Sequence, residues 1–166
     1  MKYFAYGSNM ALARIKQRIP GALRHGVVSL AQHTLRFHKV GYLDGSAKCD
    51  AFFTGREADQ VIGMLYNISD SDKSILDKIE GVGFGYQDKE VQVTDSQGNR
   101  ITALTYIATH IDSSLRPFNW YLNHVLRGAT ECGLPGSYIA AIAATPAIDD
   151  PDKARDASER AVYPAP

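Results

Sequence analysis

Excess charge is the first thing this sequence lacks. Eighteen Lys and Arg residues balance eighteen Asp and Glu. Nucleic acid and anionic membrane surfaces are held by basic faces, so neither is expected as the main partner. Cysteine is nearly absent too. Cys49 and Cys132 are the only two, far apart and matching no metal spacing, and they read as free thiols in a reducing compartment. Long apolar runs are missing. The run after Lys2 is short and interrupted, too short for a signal-peptide core or a membrane span, and the chain is expected in the cytosol. There is no repeat, no low-complexity block and no Gly-x-Ser-x-Gly elbow, and neither cysteine sits in a reactive motif. The five histidines are scattered at positions 25, 33, 38, 110 and 124. His33 and His38 fall in a strand-like stretch and read as surface or hairpin residues. No metal and no cofactor is expected.

What is present fits one domain with a real core in 166 residues. The apolar run Tyr3-Phe4-Ala5 predicts a first strand, and Met10 to Ile15 a helix. Between them stands Tyr6-Gly7-Ser8-Asn9. Gly7 permits a sharp turn, and Ser8 and Asn9 are both good N-cap residues. The unpaired N–H groups of such a helix start can face an anion or an oxyanion. The run through Ala22 to His38 predicts one or two strands with a turn at Ala31-Gln32-His33. Gly41 to Ser46 is a loop, Asp50 to Thr54 a short strand, and Val61 to Tyr66 a central strand buried on both faces. Ser69 opens a helix whose expected apolar face is Ile75, Leu76 and Ile79, and which stops at Glu80-Gly81.

Glu90 to Thr94 and Ile101 to Ala108 form a hairpin around Ser96-Gln97-Gly98-Asn99. Pro117 to Cys132 has helical spacing, with Trp120 and Tyr121 read as core, and Pro135 begins a further helix to Ala144. The expected division is a domain over 1–146 and a surface tail over 147–166, with one polar helical turn near Lys153 to Arg160. Mixed element order favours an α+β fold, a curved or barrel-like mixed sheet flanked by helices, over alternating βαβ units. The basic residues Arg14, Lys16, Arg18, Arg24 and Arg36 read as solvated helix and strand faces.

Three stretches together resemble one family. Tyr3-Phe4-Ala5-Tyr6-Gly7-Ser8-Asn9-Met10 is similar to the N-terminal signature of the γ-glutamylcyclotransferases, within a wider AIG2-like superfamily. Glu80-Gly81-Val82-Gly83-Phe84-Gly85-Tyr86 resembles that family's catalytic stretch, and Gly128 to Pro135 with Tyr138 a third shared segment. Their order and rough spacing agree, so the resemblance spans residues 2 to about 145. It implies a small mixed β-barrel flanked by helices, and release of 5-oxoproline and a free amino acid from a γ-glutamyl amino acid. It implies that Glu80 transfers the proton and that Tyr6, Gly7, Ser8 and Asn9 bind substrate. Gln87 stands where relatives can carry a tyrosine, so that hydroxyl either comes from Tyr86 or is missing.

The implied reaction is an intramolecular acyl transfer. The substrate's own α-amine attacks its γ-carbonyl, so proximity comes with the substrate and no Ser or Cys nucleophile is needed. One carboxylate can take the ammonium proton and return it to the leaving amine if its pKa is raised. A helix C-terminus and the neighbours Ile79, Val82 and Phe84 are expected to raise that of Glu80. On that ground alone, Glu80→Gln is expected to leave stability unchanged or slightly higher. Tyr6, Tyr86 and Tyr106 are candidate walls or hydroxyl donors, Tyr86 first among them. Two loops, 41–48 and 112–117, are expected to touch the departing group. Alternative readings are a cyclotransferase acting on a γ-glutamylamine or another γ-glutamyl carrier, and a non-catalytic relative that binds a small molecule or a protein. The expected partner is a small γ-glutamyl molecule, and a homodimer is left open.

Overall fold

The structure is a computed structural model that describes residues 1–163. In chain order its strands are β1 (Lys2–Ala5), β2 (Leu23–Ala31), β3 (His33–Val40), β4 (Ala47–Phe53), β5 (Gln60–Asn67), β6 (Tyr86–Asp95) and β7 (Arg100–Ala108). The helices are α1 (Leu12–Arg18), α2 (Asp70–Glu80), α3 (Asn119–Glu131), α4 (Gly136–Ala143) and α5 (Lys153–Arg160). Five strands close a barrel in the order β1-β5-β2-β6-β7, and β3 and β4 pair as a separate two-stranded sheet. The closing seam is a parallel pairing of β1 with β7 at Tyr3 and Leu104, while the other pairings are antiparallel. A mixed barrel flanked by helices is therefore the fold.

Local chemistry explains the element that matters most. Ser69 Oγ accepts from the Asp72 N–H at 3.1 Å, and Asp72 Oδ2 accepts from the Ser69 N–H at 3.0 Å. This reciprocal pair starts α2. Gly81, at φ 70°, ends it in the left-handed region open to glycine and turns the chain towards β6. Only Leu76 of the expected apolar face is buried; Ile75 and Ile79 are each 43% exposed. The helix lies against the barrel along one narrow line, so residues one turn-quarter away meet solvent.

Two expectations about the first turn need correction. Ser8–Met10 forms a short 3-10 turn, α1 begins at Leu12, and no side chain caps either one. Asn9 is used elsewhere. The turn is pinned from behind: Tyr66 donates its hydroxyl to the Met10 carbonyl at 2.9 Å, and α3 crosses it at Gly128. A Cβ at Gly128 would lie 2.5 Å from both the Ala11 nitrogen and the Met10 Cβ. The shared segment Gly128 to Pro135, which begins within α3, thus includes the seat of the turn. His33 and His38 lie on the β3–β4 hairpin, the second of the two places expected for them, and are buried rather than at the surface. His38 Nε2 lies 2.8 Å from Asp50 Oδ2, which gives its polar ring a partner inside the fold. Among the described residues no cluster of His, Cys, Asp or Glu is arranged to hold a metal ion, and no helix is long and apolar enough to cross a membrane.

The stretch expected as a surface tail is bound to the domain over its described part; residues 164–166 lie outside the described residues. Ile148 exchanges main-chain bonds with Pro117 and Asn119 at 3.0 and 2.9 Å. Asp150 is fully buried, taking two bonds from Arg155 at 2.6 Å and one from the Trp120 indole at 2.7 Å. These donors hold its carboxyl well below the usual range. The helical turn near 153–160 is α5, and its Glu159 reaches Arg14 at 2.6 Å and His124 at 2.9 Å. An Asp- and Pro-rich composition hid these long-range partners.

Two outcomes follow from this packing. Gly128→Ala gains about 1 kcal/mol of helix propensity, but the collision with the Met10–Ala11 backbone dominates, so urea denaturation should show a less stable protein. A more stable variant would mean that α3 does not seat the turn so closely. Glu159 sits at about 2 in the fold against an ordinary 4.5; burial pushes it up, and the bonds from His124 and Arg14 outweigh that. A depressed carboxyl stabilises fully above the unfolded value and loses that contribution as pH falls through the folded one. The thermal-midpoint gap between the wild type and Glu159→Gln should be open at pH 7 and close between pH 4.5 and 2. A gap independent of pH over that window would remove the ion pair from the account.

Candidate active site

Three remote segments meet at one oxygen. Glu80 Oε1 accepts from Arg18 Nη1 at 2.7 Å and from Asn9 Nδ2 at 3.0 Å. Arg18 Nη1 also donates to Asn9 Oδ1 at 2.8 Å, and Asn9 Nδ2 reaches the Tyr3 hydroxyl at 2.9 Å. The last residue of α2, the last residue of α1 and the 3-10 turn are thereby locked together. Both bonds to Glu80 use Oε1; Oε2 carries neither. The side chains of Arg18 and Glu80 are 19% and 16% exposed, so the pair is largely withdrawn from water.

The surroundings of Glu80 differ from those expected. Phe84 is 78% exposed and Ile79 half-exposed, so the adjacent apolar residues do little to desolvate it. A guanidinium faces it instead of a bare helix end. Arg18 was expected on a solvated face, and so was Arg14, which is buried and paired with Glu159. One signal was available in the sequence: Arg14 and Arg18 are four residues apart and share a helix face.

Glu80 lines two neighbouring spaces. A narrow recess of about 30 Å³ is lined by Tyr3, Tyr6, Gly7, Ser8, Asn9, Cys49, Tyr86, Tyr106 and Tyr121 as well as Glu80. A broad cavity of about 540 Å³ opens beside it, and Ser8, Glu80, Tyr86 and Tyr121 line both. The sequence-selected residues Tyr6, Gly7, Ser8, Asn9, Glu80, Tyr86 and Tyr106 are therefore brought together. Of the two loops expected at the departing group, Gly41 to Asp44 and Lys48 line the broad cavity. The loop 112–117 does not; Asp112, Ser113 and Leu115 line a separate depression with Arg36 and His38.

Of the two roles open to Tyr6, Tyr86 and Tyr106, wall or hydroxyl donor, the hydrogen bonds favour the first. Tyr6 donates to the Tyr106 carbonyl, Tyr106 donates to Asp77 Oδ1 at 2.8 Å, and Tyr86 donates to the Cys49 carbonyl. All three hydroxyl protons are spent within the protein, so these residues are walls whose oxygens can accept but not donate. Tyr3 and Tyr121 are the ones sequence reading missed. Each oxygen acts as an acceptor, from Asn9 Nδ2 and from the Cys49 N–H at 3.0 Å, which leaves each O–H to donate. Burial raises the pKa of both hydroxyls above the ordinary value, so both keep their protons at neutral pH. Burial likewise pushes the Cys49 thiol up to about 12. It lines the recess as a thiol and not as a thiolate nucleophile.

A barrel whose rim carries a carboxylate beside a helical turn defines a class. Residues 60–142 match the model of the AIG2-like family. Curated γ-glutamylcyclotransferases of Bos taurus and Homo sapiens are 35% identical over 139 residues and 33% over 144, each alignment covering 82% of this chain and 73% of the relative. A solved γ-glutamyl cyclotransferase superposes with a TM-score of 0.87 at 29% identity, covering 98% of this chain and 97% of that one. The chain belongs to the γ-glutamylcyclotransferase family, a family of enzymes.

The junction at Oε1 separates two substitutions by their effect on stability. Glu80→Gln keeps an oxygen that can accept from both Arg18 and Asn9. Arg18→Met leaves a largely buried carboxylate with no counter-charge, at a cost of roughly 1–3 kcal/mol. The gain expected for Glu80→Gln at a helix end is offset by loss of the ion pair. Chemical denaturation should therefore rank Arg18→Met clearly below Glu80→Gln, and equal stabilities would show that the pair is not holding the three segments.

Proposed function

We propose that this chain cyclises a γ-glutamyl amino acid to 5-oxoproline, with Glu80 as the residue that moves the proton. The observation that carries this is the fixed carboxylate beside the turn: Oε1 is anchored by Arg18 and Asn9, and Oε2 is left for substrate. Anchoring one oxygen fixes the direction of the other, which a base acting on a tethered amine requires.

The steps follow from the groups at hand. The α-ammonium of the substrate lies against Glu80, and Oε2 takes one proton. The freed amine attacks the γ-carbonyl carbon, the C–N bond closes a five-membered ring, and negative charge develops on the carbonyl oxygen. The leading N–H groups of the 3-10 turn and the hydroxyls of Tyr3 and Tyr121 are donors placed to meet the negative charge on this half of the substrate. Protonated Glu80 gives its proton to the amide nitrogen as the tetrahedral adduct collapses and the original amide bond breaks, and the restored carboxylate takes the second proton of the ring nitrogen and passes it to the released amine, which leaves as an ammonium. Glu80 ends as it began, and no covalent enzyme intermediate forms. The chain's own residues supply each of these roles, so the reading includes no cofactor.

The small zwitterionic substrate is the partner in this reading, with no nucleic acid and no membrane, in line with the zero formal charge. Two free cysteines, one buried and one half-buried, support a cytosolic setting.

Losing a positioned acid–base group lowers rate by roughly 10²–10⁴-fold. Glu80→Gln should therefore lose 5-oxoproline release from γ-glutamyl dipeptides by that factor while keeping its thermal midpoint within a few degrees. Near-normal release by a folded Glu80→Gln protein would remove Glu80 from the mechanism.

A further inference from the structure

Six cationic side chains line the broad cavity, and four of them are already paired. Arg14 pairs with Glu159, Arg18 with Glu80, Lys48 with Asp44 and Arg155 with Asp150. Lys78 also lines the cavity but is exposed. Lys39 is the exception. It is only 5% exposed, yet among the described residues it makes no ion pair and no side-chain hydrogen bond. Its Nζ lies over the Tyr86 ring, 4.5 Å from the centroid, and it lines the broad cavity but not the narrow recess.

The backbone puts it there. On β3 the pairing with β4 steps from Phe37–Cys49 to Lys39–Lys48, so His38 is an extra residue. Such a bulge breaks the alternation of a strand and re-aims a side chain. His38 and Lys39, adjacent in sequence, are accordingly both buried, His38 towards Asp50 and Lys39 towards the cavity. Gly85 completes the slot: a Cβ there would stand 2.9 Å from Lys39 Cε and 3.0 Å from Nζ. Withdrawing an ammonium from water without a counter-ion is unfavourable, and burial lowers the Lys39 pKa against the weaker pull of Glu80 and Asp44. A ligand anion at this position would relieve that.

The substrate geometry says which anion. Its ammonium and α-carboxylate share one carbon, so both belong beside Glu80 and the turn. The recess of about 30 Å³ has room for one small group. The departing residue must extend into the broad cavity. We propose that Lys39 is a specificity-determining residue whose ammonium binds the carboxylate of the departing amino acid, so that the enzyme selects γ-glutamyl amino acids over γ-glutamylamines. This rests on the cyclotransferase reading above and deepens it by naming the group that must leave.

The test compares γ-glutamylalanine with γ-glutamylethylamine, which differ only by that carboxylate. Wild-type kcat/KM should favour the acid by at least about tenfold, the scale of one charged hydrogen bond. In Lys39→Met that ratio should fall to within about threefold of unity, mostly through KM for the acid. Lys39→Arg should retain part of it. Gly85→Ala, which crowds the ammonium without removing it, should lower the ratio to an intermediate value. Equal wild-type turnover of the two substrates overturns the proposal without any variant. A ratio that survives Lys39→Met, or a loss shared equally by both substrates, overturns it as well. Release of 5-oxoproline from neither substrate overturns the cyclotransferase reading, and this inference with it.

Discussion

The structure depends on a shared hydrogen-bond acceptor. Glu80 Oε1 is where the N-terminal turn, the end of α1 and the end of α2 meet. None of those segments is fixed by the barrel alone. The turn is too short to hold itself, α1 has seven residues, and α2 buries only Leu76 fully. A charged, hydrogen-bonded cluster withdrawn from water is stronger than its exposed equivalent. It also over-determines the carboxylate's orientation, so one interaction both holds the rim together and fixes the direction of the other carboxylate oxygen.

Much of this was legible from the sequence, for physical reasons that differ by element. The start and stop of α2 are local chemistry: a reciprocal Ser69–Asp72 cap and a glycine with positive φ. The β6–β7 hairpin is likewise local, with its turn at Ser96 to Asn99. Tyr6 to Asn9 and Glu80 could be selected because the motif stretches carry them together. Arg18 and Lys39 could not. Arg18 acts through a partner 62 positions away, and Lys39 is turned inwards by a bulge that breaks the period on which strand reading relies. The tail misled for a similar reason. Its composition is that of a solvated segment, but Asp150 and Glu159 find partners on α1 and α3 that no local pattern announces.

Tyrosine taught the subtler point. Sequence proximity to the motifs selected Tyr6, Tyr86 and Tyr106, and the structure does place all three at the recess. Placement is not availability. Each hydroxyl already has an acceptor in the protein, while Tyr3 and Tyr121 act as acceptors and retain a proton to give. A buried hydroxyl must be accounted for twice, once as acceptor and once as donor, and only a full set of partners distinguishes a wall from a donor.

The parallel seam between β1 and β7 has a consequence for the order in which the barrel forms. Tyr3 and Leu104 are about a hundred positions apart, and the turn that carries Asn9 hangs directly from β1. Pairings across such a span form late, because the loop entropy must be met before contact rewards it. With the seam open, β1 is still held by its four antiparallel pairs with β5, the strand that leads into α2, so the pairing that brings Asn9 to Glu80 spans less chain than the one that closes the barrel. The junction at Glu80 is thus independent of the seam, and the barrel closes around a contact that a shorter-range pairing has already made.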